Sequence, residues 1–385
     1  MDRRSLLKKG LLMASGLTVA PGLFSRAMQR PLNICQQPGY VYEPALFADG
    51  PVPLKARLFA NENPFGPSAK AKQAIVDAMA ESFRYPFEFA RDLQEKITTA
   101  EGLKQENIIL GAGSSEIIMA AALLFTQKPN ANIITGDPTY EDLPSKFSDM
   151  KGQWKKIPLT ADYKLDLEAM EKAIDSNTTL IYVCNPNNPT ATVLEPGKLR
   201  SFCERVSQKV TVFVDEAYID YLEDPKANSM MDLVRTGKNI IVARTFSKLH
   251  GFAGLRVGYA MAQPDMIKKL NDYTNAFATI SATSLHAAYA SYGDDAFLKD
   301  ALQKTKQSKE YLYSVLKKEG YEYIPSSTNF VMFPVKMDSR QFVQELGKRG
   351  VGVRFWQFNK KEWCRISIGR MDEMEAFAAA FKEIS

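Results

Sequence analysis

The sequence predicts an α/β fold: a mostly parallel sheet sandwiched by helices, the large domain, with a smaller α+β domain at the C-terminal end. Three observations carry this prediction. Short apolar runs without polar alternation recur between about residues 107 and 262, as expected of strands buried on both faces. Helical patterns separate several of these runs. Beyond about residue 275 the rhythm changes to one long helical stretch followed by alternating strands and helices. The expected division is a leader over 1–27, an arm and first helix over 28–85, a large domain over 86–275 and a small domain over 276–385.

The elements follow in chain order. Residues 28–57 are rich in proline and aromatics, lack a period, and read as an arm. "SAKAKQAIVDAMAES" (68–82) has helical spacing. Strand-like runs are "NIIL" (107–110), "NIITGD" (132–137), "TLIYVCN" (179–185), "VTVFVDEAY" (210–218), "NIIVARTFS" (239–247) and "LRVGYAMA" (255–262). Helical patterns at 166–174 and 196–208 lie between them. A long helix is expected over 294–320, then strands at 329–335, 351–355 and 363–369, with a helix near 338–349 and a final one at the end. No internal repeat or low-complexity tract is visible.

Composition excludes several function classes. The 385 residues are 45% hydrophobic and 24% charged, ordinary for a globular chain with a large core. The net charge of +5 is spread out, with no Lys/Arg-rich block, so nucleic acid is not an expected partner. The four cysteines form no C-x-x-C pair, and the two histidines, His250 and His286, cannot make H-E-x-x-H. No metal site is expected. A Ser-His-Asp hydrolase would have to run through one of those two histidines.

The N-terminus has Arg3, Arg4, Lys8 and Lys9 before an apolar stretch from Leu11 to Phe24, then the small-x-small triplet Ser25-Arg26-Ala27. This reads as a secretory signal of twin-arginine-like type over 1–27 and implies a periplasmic enzyme. The alternative is a cytoplasmic enzyme with an ordinary amphipathic first helix. The apolar stretch is short for a membrane span.

Ligands of open α/β sheets collect at the carboxyl ends of strands. Polar clusters stand at five such ends: "GAGSSE", "DPTY", "NPNNPT", "DEAY" and "TFSK". The first is a glycine turn feeding a helix that starts near Ser115, a ready anion site through free backbone N–H groups. It matches neither G-x-x-x-x-G-K-[ST] nor G-x-G-x-x-G.

Taken in order, "NPNNPT" (185–190), "DEAY" (215–218), "SKLHGFAGLRVGY" (247–259) and "RISIG" (365–369) resemble the fold-type I aminotransferases that use pyridoxal 5'-phosphate. "LFANENPFGPS" (58–68) and "RYP" (84–86) narrow the resemblance to the histidinol-phosphate aminotransferase-like branch, over roughly 55–385. Such a cofactor needs a lysine to hold it as a Schiff base and to move protons, and Lys248 is the candidate. The ring nitrogen needs a buried carboxylate to stay protonated. By resemblance Asp215 takes that role, while Glu216 would point to the other side of the strand.

The resemblance also implies that Asn188 and Tyr218 donate to the ring oxygen and that Tyr140 stacks on the ring. It implies a phosphate cradle of Ser114, Ser115, Thr245, Ser247 and Arg256, with Tyr85 reaching the cofactor of a partner subunit in a homodimer. Arg365 would hold the acidic end of the substrate, and Arg354 would make a second anion contact. Ala191 stands where the family usually has glycine, so its backbone must avoid glycine-only conformations. The implied reaction moves an amino group between an amino donor, histidinol phosphate or an aromatic or other amino acid, and a 2-oxo acid such as 2-oxoglutarate. Two other readings fit the same motifs: a decarboxylase of a phosphorylated amino acid like threonine phosphate, and a non-catalytic binding protein on the same fold.

Overall fold

The computed structural model describes residues 54–385, so the leader read over 1–27 and most of the arm lie outside the described residues. Twelve strands occur among them: β1 (Ala56–Arg57), β2 (Ile108–Gly111), β3 (Asn132–Asp137), β4 (Gln153–Pro158), β5 (Thr178–Cys184), β6 (Thr211–Asp215), β7 (Ile240–Thr245), β8 (Gly258–Met261), β9 (Phe330–Pro334), β10 (Val351–Gly352), β11 (Arg354–Phe358) and β12 (Lys361–Ser367). Seven of them form the large sheet in the order β2-β8-β7-β6-β5-β3-β4. The pairs β7–β6, β6–β5, β5–β3 and β3–β4 are parallel, and β8 alone runs against its neighbours. The mostly parallel sheet is therefore as expected.

The central strands are apolar throughout because both of their faces are covered. Ile181, Val183, Val212, Val214, Ile240 and Val242 pack into one cluster. Their alternates Leu180, Tyr182, Cys184, Phe213, Ile241 and Ala243 pack into another, with the helix Ser114–Phe125. This two-residue alternation decides which face each strand-end side chain meets. Of the large sheet's strands, the one not anticipated is β4, "QWKKIP". It is an edge strand whose residues are exposed or half-buried, so it lacks the apolar run that marks the others.

The smaller sheet is antiparallel, in the order β11-β12-β9, beside a parallel pair of β1 with β10. Ala56 and Leu58 of the arm pack with Val331, Phe333, Ile366 and Phe377 in its core. The large core continues past residue 275. Ile280, Leu285, Ala287 and Ala288 belong to the large-sheet cluster, and the helix Ala282–Ser291 lies against the helices Ala69–Ala78 and Phe87–Glu101. Its alanines and serines bury closely without an apolar stripe, so the sequence offers no clear pattern there.

Candidate active site

The polar clusters do sit at the carboxyl ends of the large sheet's parallel strands. Asp215 closes β6, where Cys184 of β5 and Ala243 of β7 are its register neighbours. Alternation puts its side chain on the face of Phe213 and Tyr182, and it is only 3% exposed. Glu216 faces the other way, where Arg244, the Ser229 hydroxyl and the Met230 amide hold it. The two adjacent acids thus serve different environments, as the strand period requires.

Asp215 is held as an acceptor. The Tyr182 hydroxyl donates to its Oδ2 at 2.8 Å and the Ala217 amide to its Oδ1 at 3.0 Å. Burial raises its pKa above the usual carboxylate value, while these donors and the Lys248 charge pull it back. Among the described residues it makes no ion pair. A buried carboxylate so placed suits a cationic ring nitrogen.

Lys248 lies in the turn that leaves β7, partly buried, with Nζ 5.4 Å from the Tyr218 ring centroid. Burial lowers its pKa to about 8. Arg365 and Arg354 add to that, while Glu62 and Asp215 oppose it. An amine near 8 has a substantial neutral fraction at physiological pH and can act as nucleophile or base.

The anion cradle assembles from three segments. Gly113, with φ 73°, begins the helix Ser114–Phe125, and a Cβ there would collide with the Arg256 guanidinium. Arg256 reaches across to the Ala112 carbonyl, the Ser115 hydroxyl at 3.4 Å, and the Ser247 hydroxyl at 3.3 Å. Ser247 and Thr245 are buried, and the Ser247 amide donates to Thr245 Oγ1. β8 closes the base: a Cβ on Gly258 would collide with the Ser114 nitrogen. The helix's own acid, Glu116, is taken up by the amides of Ala112 and Asn275 and the Thr279 hydroxyl. A guanidinium, two hydroxyl-bearing turns and a helix N-terminus in one place fit a phosphate. With Asp215 and Lys248 alongside, the residues present fit pyridoxal phosphate.

The small sheet supplies the opposite wall. Arg354 and Arg365 are directly opposed across β11 and β12, so both point to one face. Arg365 is 3% exposed and donates to Asn188 Oδ1 at 2.6 Å and to the Phe59 carbonyl at 3.0 Å. Asn188 is therefore a buried contact of Arg365 as well as a turn residue. Tyr218 is buried against Phe330, with ring centroids 5.1 Å apart. Tyr140 packs on the same face as Tyr182 and Cys184. Tyr85 does not join this group within the chain: it is 72% exposed on the outer surface.

Three residues near the site were not anticipated. Tyr182 looks like one more apolar residue in a strand run, yet its hydroxyl serves Asp215. Asn61 and Glu62 come from the arm, where the sequence has no period. Asn61 donates to the Tyr218 hydroxyl at 3.1 Å, and Glu62 acts on the Lys248 charge. The polar pair inside "ANEN" was the available signal. Ala191, at the departure from the family's glycine, has φ 61°, a left-handed conformation that alanine adopts at modest cost. His250 packs in the core, with Nδ1 2.8 Å from the Ser291 hydroxyl.

Fold and site together define an enzyme that works through pyridoxal 5'-phosphate. The chain belongs to the aminotransferase class I and II family, whose profile matches residues 55–381, and it is a pyridoxal-phosphate-dependent aminotransferase. It is 37% identical to the histidinol-phosphate aminotransferase of Moorella thermoacetica over 85% of both chains. It is 36% identical to histidinol-phosphate aminotransferase 1 of Cupriavidus pinatubonensis, over 85% of this chain and 87% of that one. The solved histidinol-phosphate aminotransferase of Sinorhizobium meliloti in complex with pyridoxal-5'-phosphate matches with a TM-score of 0.82 at 26% identity, covering 89% of this chain and 94% of that one.

These relatives correct one expectation. Likeness to these histidinol-phosphate aminotransferases gives no support to the periplasmic location read from residues 1–27, and that location is withdrawn. Basic residues before a short apolar stretch also describe an ordinary amphipathic segment, which makes that pattern a weak signal. Among the described residues no helix is long and apolar enough to cross a membrane.

Proposed function

We propose that this aminotransferase takes histidinol phosphate, or an amino donor with a similarly placed anionic end, and passes its amino group to a 2-oxo acid such as 2-oxoglutarate. The observation that carries the reading is the opposed pair Arg354 and Arg365, which faces the Lys248 amine from the small sheet. Two guanidinium groups there suit a phosphate or carboxylate at the far end of a donor whose amine meets Lys248. The names of the relatives support the same donor.

When bound, the cofactor supplies an electron sink that stabilises negative charge at the donor's Cα. In this reading Lys248 would hold it and would move the donor's Cα proton as general base and acid. Asp215, steadied by Tyr182, keeps the ring nitrogen protonated. Asn188 and Tyr218 bind the ring oxygen, and Tyr140 covers the ring face. Ser114, Ser115, Thr245, Ser247 and Arg256 hold the phosphate.

The working unit we propose is a homodimer. Exposed Tyr85 lies with Val76, Met79, Phe83, Phe87 and Tyr289 among the large apolar side chains left in solvent. A second copy covering them would let Tyr85 reach its neighbour's phosphate cradle. We also place the division between the large and small domains after the helix Ala282–Ser291, with Ala56 and Leu58 counted in the small one.

The test is a single half-reaction. Loaded protein mixed with histidinol phosphate should lose its visible absorbance, and 2-oxoglutarate should restore it. No response to histidinol phosphate or any other amino donor would refute the reading. Carbon dioxide release from a phosphorylated amino acid would favour the decarboxylase instead.

A further inference from the structure

The arm residue Asn61 makes contacts that chain connectivity does not require. It is 2% exposed and has φ 53°, a left-handed conformation that asparagine tolerates better than most residues. Its backbone N–H donates to Ser367 Oγ at 2.8 Å, and that hydroxyl gives its proton back to Asn61 Oδ1 at 2.8 Å. The exchange fixes the amide: Oδ1 faces Ser367, so Nδ2 faces Tyr218 Oη at 3.1 Å. Asn329 Nδ2 ties down the Asn61 and Glu62 carbonyls at 3.1 and 3.2 Å. The arm, the loop after β6 and the small sheet thus meet at one side chain.

A phenol has one proton to give, and Nδ2 can only donate. With Asn61 donating to Tyr218 Oη, the Tyr218 proton must point elsewhere. Among the described residues no acceptor receives it. Tyr218 is 4% exposed, and a buried hydroxyl proton seeks an acceptor. We infer that Asn61 is a positioning residue, clamped by Ser367 and Asn329, that turns the Tyr218 hydroxyl proton toward the ring oxygen of the bound cofactor. The inference rests on the proposed place of Tyr218 beside that ring.

The test follows the pH midpoint at which the visible band of the pyridoxal-phosphate-loaded protein changes. Donating a hydrogen bond to an anionic oxygen lowers its proton affinity. Asn61→Asp keeps the size and tolerates the backbone but puts an acceptor where the donor was, so the Tyr218 proton is drawn to it. The midpoint should rise by about one pH unit, the scale of one charge-assisted hydrogen bond. Tyr218→Phe should raise it in the same direction, and adding Asn61→Asp to Tyr218→Phe should then change it little. Ser367→Ala, which frees the amide to turn, should give a smaller rise and serves as the second variant should Asn61→Asp fail to fold.

An unmoved midpoint in Asn61→Asp or in Ser367→Ala, with Tyr218→Phe still shifting it, overturns this inference alone. So does an equal Asn61→Asp shift with and without the Tyr218 hydroxyl. If Tyr218→Phe moves nothing, the place given to Tyr218 falls, and this inference with it. A wild-type protein with no visible band would remove the reading of Lys248 as well.

Discussion

Lys248 should destabilise the cofactor-free protein, and replacing it with methionine should show by how much. Burial takes its amine from the ordinary value of 10.5 to about 8. At about 1.36 kcal/mol per pH unit, keeping the ammonium charged in that place costs up to about 3 kcal/mol. The side chain retains some solvent, so about 1.5–3 kcal/mol is the expected range. Below pH 8 the folded and unfolded chains both carry the proton, and the folded one bears the whole cost. Between about 8 and 10.5 the unfolded chain binds more protons, so wild-type stability rises with pH. Lys248→Met keeps most of the length of the side chain, unbranched, and has no charge. At pH 7 the cofactor-free variant should be more stable by that amount. With about 2.1 cal/mol/K per residue over roughly 330 residues, this corresponds to a Tm about 2–4 °C higher. The gap should shrink to under about 1 kcal/mol near pH 10, and turnover should be abolished throughout. A methionine variant that melts below wild type at pH 7, or a gain that persists unchanged at pH 10, would refute the electrostatic account of this amine.

Three further outcomes separate the roles assigned to other residues. Arg365→Ala removes charge-assisted contacts of about 2–3 kcal/mol, so kcat/KM for a phosphorylated donor should fall about 30–150-fold in steady-state kinetics, and lysine should rescue it poorly. Glu216→Ala breaks the pair of buried Glu216 with the mostly buried Arg244, which keeps Glu101, and should cost about 3 kcal/mol in urea unfolding. Activity per folded molecule should survive it, because Glu216 faces away from Asp215. Ala191→Gly relieves a left-handed backbone worth about 1 kcal/mol but loses a buried methyl worth about 0.8 kcal/mol, so its urea midpoint should barely move.

The parts of this molecule that could be read from its sequence are those where one physical constraint dominates. Strands β5, β6 and β7 are buried on both faces, and an unbroken apolar run is the only composition that permits this. Their carboxyl ends then had to carry the polar chemistry, and Asp215 and the turn bearing Lys248 lie there. β4 escaped because an edge strand need satisfy only one neighbour and keeps its charges in solvent. The helix Ala282–Ser291 escaped because close packing of small side chains leaves no stripe. Asn61 and Tyr182 were hidden for another reason. Their function is to aim a hydroxyl across 157 and 33 positions of chain, a pairing that no local period records. The role proposed for Tyr85 needs a second copy of the chain, which no local pattern records.

In the proposed site one amine, Lys248, carries the cofactor opposite Asp215. Borohydride treatment of the pyridoxal-phosphate-loaded protein fixes the cofactor to whichever lysine holds it, and peptide mass mapping then locates the added mass. The added mass should fall on the peptide containing Lys248 and be absent from Lys248→Met. Cofactor mass on another lysine, or spread over several surface lysines, would contradict it.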